Sequence, residues 1–554
     1  MNESKEIEYS KSELIDEINK LRQRKKYGLV WEEEEEDVVL KCRDELPVLK
    51  EVTEREIHNA QQKDYNIIIE GDNFHSISVL NYTHPSSIDV IYIDPPFNTG
   101  ARDWKYNNDY VDINNAYRHS KWLSMMAVRL KVAKNLLKED GVFICAIDEN
   151  EVNHLGVLLE EIFLDHEIHL ITIVHNPRGQ QGNNFSYVNE FAYFVFRKDL
   201  KVIGPRKIED SEVDWRTLRD SGSESMRTDA KNCFYPIYVK NDEIIGFGEV
   251  LDNNKHPYEQ TELVDGVYHI WPIDSKGNER KWRYARQSVE SVKGMLKPKW
   301  KRDRYDIIIG KNFGTVRTVW DDSRFDASEY GTKMLQDLVP NFKFDYPKSL
   351  FTVYDCLAPV ISSKKDAVVL DYFAGSGTTG HAVMLLNKED GGNRKFILCT
   401  NNENQIAERA CFARIEKSIS GHEDWQDVTY FDENVKYFKT DFVDATPTDY
   451  NKRKLTNLAA DMLCLKESCF VKIKEGEFYK VFKGLNGKTM CVIFDDDGVE
   501  EARDVIREFN RKTILYIFSL DEGGKEDEFK ELENLVEIKP VPASILNVYR
   551  RIFK

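Results

Sequence analysis

The feature that most constrains this chain is a strand, a glycine-rich turn and a helix in immediate succession. Ala367-Val368-Val369-Leu370 is an apolar, β-branched run. Asp371-Tyr372-Phe373-Ala374-Gly375-Ser376-Gly377 follows, and a helical pattern opens at about Thr378. A near-continuous apolar run suits a strand covered on both faces, as in a parallel sheet. Glycine permits a tight turn and lets a ligand approach the backbone. The helix start offers free N–H groups and the positive end of a dipole to an anion. The chain is therefore expected to be an α/β protein with a ligand loop at one sheet edge.

The same alternation recurs on both sides. Strands are expected at 65–70, 88–93, 141–147, 168–174, 191–196 and 395–400, with helices over 117–137 and 152–163. From about 200 to 340 the alternation weakens, and polar, aromatic and basic residues mix. After about 450, strands near 470–473, 490–494 and 513–518 suggest a small α/β domain. Five segments follow: an N-terminal helical segment at 1–60, a first α/β half at 61–200, an inserted domain at 201–340, a second α/β half at 341–445 and a C-terminal domain at 446–554. Leu14, Ile15, Ile18 and Leu21 have helical spacing in the first of these.

No apolar run approaches the roughly 18 residues that span a bilayer. The N-terminus has no apolar core of a secretory signal, so a cytoplasmic protein is expected. The nine cysteines include no Cys-x-x-Cys pair. They are expected as reduced thiols, and no metal site is expected. The net charge of −18 argues, as an average, against nucleic acid. Between Lys281 and Trp320, however, eleven basic residues face three acidic ones, a local +8. Lys297, Lys299, Lys301 and Arg302 are the candidates for phosphate contact. Trp282, Tyr284, Trp300, Tyr305, Phe313 and Trp320 share the stretch, most of them expected in a core.

The glycine loop admits two cofactors. Gly375 to Gly380 satisfies the dinucleotide pattern Gly-x-Gly-x-x-Gly, and Glu403 after the next strand is placed to hold ribose hydroxyls. A nicotinamide- or flavin-dependent oxidoreductase and an S-adenosylmethionine enzyme are both compatible with it. A second motif separates them. Asp94-Pro95-Pro96-Phe97 ends the strand at 88–93. Two prolines fix the backbone and remove two N–H donors. The Asp94 carboxylate and the Pro95 and Pro96 carbonyls remain as acceptors, with Phe97 as a flat apolar surface. Adenine N6 is a poor nucleophile because its lone pair is delocalised into the ring. Acceptors aimed at its hydrogens favour a pyramidal nitrogen, an electrostatic preorganisation. Phe97 is suited to stack on a base that has left the duplex.

Together these residues resemble the amino-directed DNA methyltransferases with an (Asp/Asn/Ser)-Pro-Pro-(Tyr/Phe) motif and a Phe-x-Gly-x-Gly cofactor motif, here Phe373 to Gly377. The catalytic motif comes first, with the basic insertion between, as in the β group of such enzymes. Lys26 to Trp31, Asp94 to Gly100, Tyr235-Pro236-Ile237-Tyr238, Thr318-Val319-Trp320 and Tyr346-Pro347-Lys348-Ser349 resemble the modification subunit of Type III restriction–modification systems over roughly residues 20–420. The resemblance implies a Rossmann-like S-adenosylmethionine-dependent methyltransferase fold, mostly parallel with helices on both faces, and an inserted target-recognition domain. It implies Asp94, Pro95, Pro96 and Phe97 at the target base. Phe373, Gly375, Gly377 and Thr378 would line the cofactor, with Glu403 on its ribose and Asp371 bracing the loop. Asp72 would lie near the cofactor pocket and Lys348 at its methionine end. Ser349 stands where a Pro is common, and Phe97 where Tyr is. The implied partners are double-stranded DNA, a second copy of the chain and a helicase–nuclease subunit. Asp at the first motif position favours adenine N6; cytosine N4 and a catalytically silent recognition subunit stay open.

Overall fold

The computed structural model describes residues 31–553, apart from 33–34, 62, 108, 182–183, 208–212, 302, 312, 486 and 520–524. The helix expected around Leu14 to Leu21 lies outside the described residues, as does Arg302.

A ten-stranded sheet organises the larger part of the chain. Its strands are β1 (Glu45–Glu51), β2 (Tyr65–Glu70), β3 (Ile88–Ile93), β4 (Leu137–Ile147), β5 (His166–Val174), β6 (Asn189–Arg197), β7 (Val319–Trp320), β8 (Val368–Asp371), β9 (Lys395–Thr400) and β10 (Asn434–Asp444). They lie in the order β1-β10-β2-β9-β8-β3-β4-β6-β5-β7. From β10 to β4 every neighbouring pair is parallel. β1 is antiparallel on one edge, and β6 is antiparallel between β4 and β5. Ile88-Asp89-Val90-Ile91-Tyr92-Ile93 is buried at every position, as a strand covered on both faces requires. Its one charge, Asp89, is compensated. Lys138 and Lys364 reach its carboxylate at 2.8 and 3.4 Å, and the Val368 N–H donates to it at 2.9 Å, tying β3 to the start of β8.

The helices that matter to the site are α1 (Asn73–Thr83), α2 (Arg118–Lys134), α3 (Val152–Ile162), α4 (Leu350–Ile361) and α5 (Thr378–Asp390). α1 and α5 are buried along most of their length, packed against the sheet. No helix among the described residues is long and apolar enough to cross a membrane. All nine cysteines are buried, free thiols.

The chain divides into two compact units, 205–316 and the remainder. The smaller unit is narrower than the 201–340 expected, because Val319–Trp320 pairs with β5 in the large sheet. Within it, Arg216–Thr217, Arg304–Ile309 and Leu296–Lys301 form a three-stranded sheet. A four-stranded sheet stands beside it, and Tyr235, Ile237, Trp282 and Ile307 fill a core between them. The last hundred residues form their own five-stranded sheet but belong to the larger unit. The Tyr549 hydroxyl donates to the Pro47 carbonyl at 2.5 Å, and Phe553 packs on Phe74.

Candidate active site

Four parallel strands, β2, β3, β8 and β9, end at one edge of the large sheet, where open α/β sheets bind ligands. The register sets Val369 beside Val90 and Leu370 beside Ile91, so the Asp94 turn and the glycine loop leave the sheet side by side. The Asp94 charge is felt at Asp371.

Asp94 is one-quarter exposed, at the mouth of the turn. Burial pushes its carboxyl up to about 6, against the pull of Lys348 and with the help of the Glu190 charge. The Lys348 ammonium lies 3.3 Å from Asp94 Oδ1, donates to Glu190 Oε2 at 2.5 Å, and sits 4.2 Å from the centre of the Phe97 ring. From the sequence Lys348 is expected at the methionine end of a cofactor. Two carboxylates and an aromatic face hold it against the Asp94 turn. The indole of the buried Trp122, on α2, donates to the Pro96 carbonyl at 2.7 Å. That bond holds the turn and takes one of the two acceptor positions of the Pro96 oxygen.

The glycine loop is built from its own backbone. Gly375 has φ +48° and Gly377 φ +79°, both left-handed. Added Cβ atoms would meet Phe344 Cζ at 3.3 Å and Cys411 Sγ at 3.2 Å. Asp371 is buried and braces the loop. It accepts from the Phe373 N–H at 2.9 Å and from the Thr379 hydroxyl at 2.5 Å. Burial raises it to about 7, although both hydrogen bonds pull it down. Phe373 is half-buried beside Tyr372. The Thr378 hydroxyl accepts from the buried Arg414 at 2.6 Å, so that side chain serves the interior.

Two expected residues are already engaged. Asp72 caps α1, accepting from the Phe74 N–H at 2.8 Å, with Arg129 at 3.6 Å. Glu403 opens the turn after β9, and Lys105 reaches its carboxylate at 2.5 Å. Lys105 lies on a hairpin, Ala101–Tyr106 with Asp109–Asp112, that follows the Asp94 turn. Trp122, Glu190, Lys105 and Arg414 are not singled out by the sequence. Each acts through a partner far along the chain, and no local spacing marks it.

In the smaller unit, Lys297, Lys299 and Lys301 alternate along one strand and are exposed on one face. Lys297 lies over the Trp215 ring at 4.7 Å, and Lys301 is 3.5 Å from Asp306. Trp282 and Tyr305 are buried, while Trp300 and Phe313 are exposed; Trp320, which belongs to the larger unit, is buried.

Comparison with known proteins agrees with this geometry. A family model described as DNA methylase matches residues 88–411, more than half of the chain and both turns. The Type II methyltransferase M.KpnI of Klebsiella pneumoniae is 32% identical over 371 residues, covering 62% of this chain and 84% of that one. The Type III restriction-modification enzyme EcoPI Mod subunit of Escherichia phage P1 is 28% identical over 417 residues, 65% of this chain and 61% of its own. The StyLTI Mod subunit of Salmonella typhimurium is 29% identical over 398 residues, 65% and 57%. The chain thus spans about three-fifths of the length of these Mod subunits. An acceptor-rich turn and a left-handed glycine loop at one sheet edge, inside a family match that contains both, identify the chain as a member of the DNA methylase family.

Proposed function

We propose that this chain transfers a methyl group from S-adenosylmethionine to adenine N6 in duplex DNA, with the target base turned out of the helix. The observation that carries the reading is the Asp94 turn lying beside the glycine loop on adjacent parallel strands. The loop fits the cofactor. Two left-handed glycines leave the backbone bare, and Asp371 fixes the loop from within. Phe373, Gly375 and Gly377 would line the group and Glu403 would hold its ribose, exchanging Lys105 for the hydroxyls. When bound there, S-adenosylmethionine supplies an electrophilic methyl group.

The chain's own residues prepare the amine. The Asp94 carboxylate and the Pro95 carbonyl accept the two N6 hydrogens, which draws the nitrogen lone pair out of conjugation. Phe97 stacks on the base. Trp122 keeps the turn rigid through Pro96. Lys348 opposes the burial of Asp94 and favours its ionised, accepting form. Raised toward neutrality, Asp94 is also suited to take the proton that leaves the alkylated nitrogen.

Labelled S-adenosylmethionine and mixed-sequence duplex DNA test this, with the nucleosides separated after digestion. Wild type is expected to yield N6-methyladenine, and Asp94→Ala to lose about 10²–10³-fold in rate. Label in N4-methylcytosine would move the target to cytosine. Equal labelling by the two proteins would remove the turn from the mechanism. Tight NAD binding without S-adenosylmethionine binding would restore the oxidoreductase reading.

Residues 205–316 are the proposed target-recognition unit, with Lys297, Lys299, Lys301 and Arg302 on phosphates. We extend the reading to a cytoplasmic dimer that assembles with a helicase–nuclease subunit, supported by the relatives that are Mod subunits by name. A stand-alone enzyme is favoured by the match that covers 84% of a Type II methyltransferase. Light scattering during turnover separates the oligomeric states, since one chain weighs 64.7 kDa.

A further inference from the structure

Outside both turns, one side-chain cluster has no part in the chemistry above. His119 lies in the first turn of α2, Glu151 precedes α3, and His154 lies in its first turn. Their ligand atoms all fall within 4.8 Å of one another. His119 Nδ1 is 2.6 Å from Glu151 Oε1, and His154 Nδ1 is 2.9 Å from Glu151 Oε2. The Glu151 side chain is fully buried, while each imidazole is about one-third exposed. Glu151 Oε2 and His154 Nδ1 are both buried atoms without a hydrogen-bond partner. With His119 Nδ1, these donor atoms converge on one point.

We infer that His119, Glu151 and His154 form a binding site for a divalent transition-metal ion of the zinc class. Two imidazole nitrogens and one carboxylate are a borderline-soft donor set, which disfavours calcium and magnesium. The exposed imidazole edges leave an entry path and room for a water ligand. The carboxylate is itself held in place. Asn98 donates through Nδ2 to Glu151 Oε1, and its Oδ1 accepts from the Trp104 indole at 3.1 Å. Asn98 is the residue after Phe97 and has φ +58°. A bound ion would fix Glu151, and through Asn98 the exit of the base-holding turn. Arg118 stands against loading, because its Nε lies 3.2 Å from His119 Nε2. Binding requires that guanidinium to turn away and the imidazole to release its Nδ1 proton.

The test titrates Zn²⁺ into the chelator-stripped full chain by calorimetry, with thermal melting alongside. Wild type is expected to bind one ion per chain and to melt at higher temperature when loaded. His154→Ala, at a position about one-third exposed, is expected to bind at least about tenfold more weakly. Arg118→Ala is expected to bind more tightly. Co²⁺ is expected to give a spectrum without thiolate charge transfer. No binding by wild type, equal binding by His154→Ala, or a thiolate band would each overturn the site. The wild-type titration and the Co²⁺ spectrum stand even if a variant fails to fold.

Discussion

Asp94 is expected to set the pH response of the site. Its carboxyl titrates near 6 because burial disfavours the charge more than Lys348 restores it. Only the ionised form accepts from an amine with both oxygens. The methyl-transfer rate is therefore expected to fall as pH drops through about 6 and to level off above it. Asp94→Asn keeps one acceptor oxygen and cannot titrate. It is expected to be slower than wild type and to lose this limb; a limb unchanged in Asp94→Asn would assign it to another group. Asp371 carries the same sign into stability. Its folded value, about 7, lies above the ordinary carboxylate value, so the folded chain binds the proton more tightly than the unfolded chain. That stability is fully present at low pH and is lost as pH rises from about 4 through 7. Asp371→Asn keeps an acceptor for Phe373 and a partner for Thr379. Relative to wild type it is expected to melt higher at pH 8 than at pH 5, as a pair of melting curves would show. Asp94, Asp371 and Lys348 are all singled out by the sequence. Glu190 is not, since it lies 158 positions from Lys348 and meets it only in the fold.

At the scale of elements, the glycine loop is the part most completely specified by sequence. The order strand, turn, helix is local, and Gly375 and Gly377 take the left-handed conformations that their residue type permits. Gly377→Ala would place a Cβ 3.2 Å from Cys411 Sγ and 3.3 Å from its carbonyl, with φ still +79°. A cost of about 1–2 kcal/mol in stability is expected from the backbone alone. Calorimetry should find weakened S-adenosylmethionine binding, and an unchanged affinity would place the cofactor elsewhere. The strands at 65–70, 88–93 and 395–400 match the sequence expectation end to end, because each is dominated by apolar and β-branched residues. What periodicity cannot carry is strand order. β6 reads as an ordinary buried strand, yet it runs antiparallel between β4 and β5. Val319–Trp320 is too short to show any period, so periodicity does not assign it to the large sheet. The metal cluster has only one local sign, the Glu-x-x-His spacing of Glu151 and His154. Its third member lies on another helix.

For the whole molecule, charge decides less by its sum than by its placement. A chain of net charge −18 is repelled by DNA unless its cations are collected on one surface. The 296–301 strand does this by alternation, since Lys297, Lys299 and Lys301 share one exposed face. The three are not equivalent. Lys301 is partly neutralised by Asp306, and Lys297 leans on Trp215, while Lys299 is the most direct candidate for a phosphate. Each phosphate neutralised contributes about 0.9 to the slope of log affinity against log salt. If all three lysines meet phosphates, replacing them together by alanine should reduce that slope by about 2.7. Lys299→Ala alone should remove about 0.9. Binding should weaken by a similar factor on every sequence, because phosphate contacts position the protein without reading bases. S-adenosylmethionine affinity should stay at the wild-type value, since the lysines belong to the smaller unit and the glycine loop to the larger one. Fluorescence anisotropy on labelled duplexes across a salt series measures all of this. A triple variant with the wild-type slope would return this strand to the role of a solvated surface and send the search for phosphate contacts elsewhere in the chain.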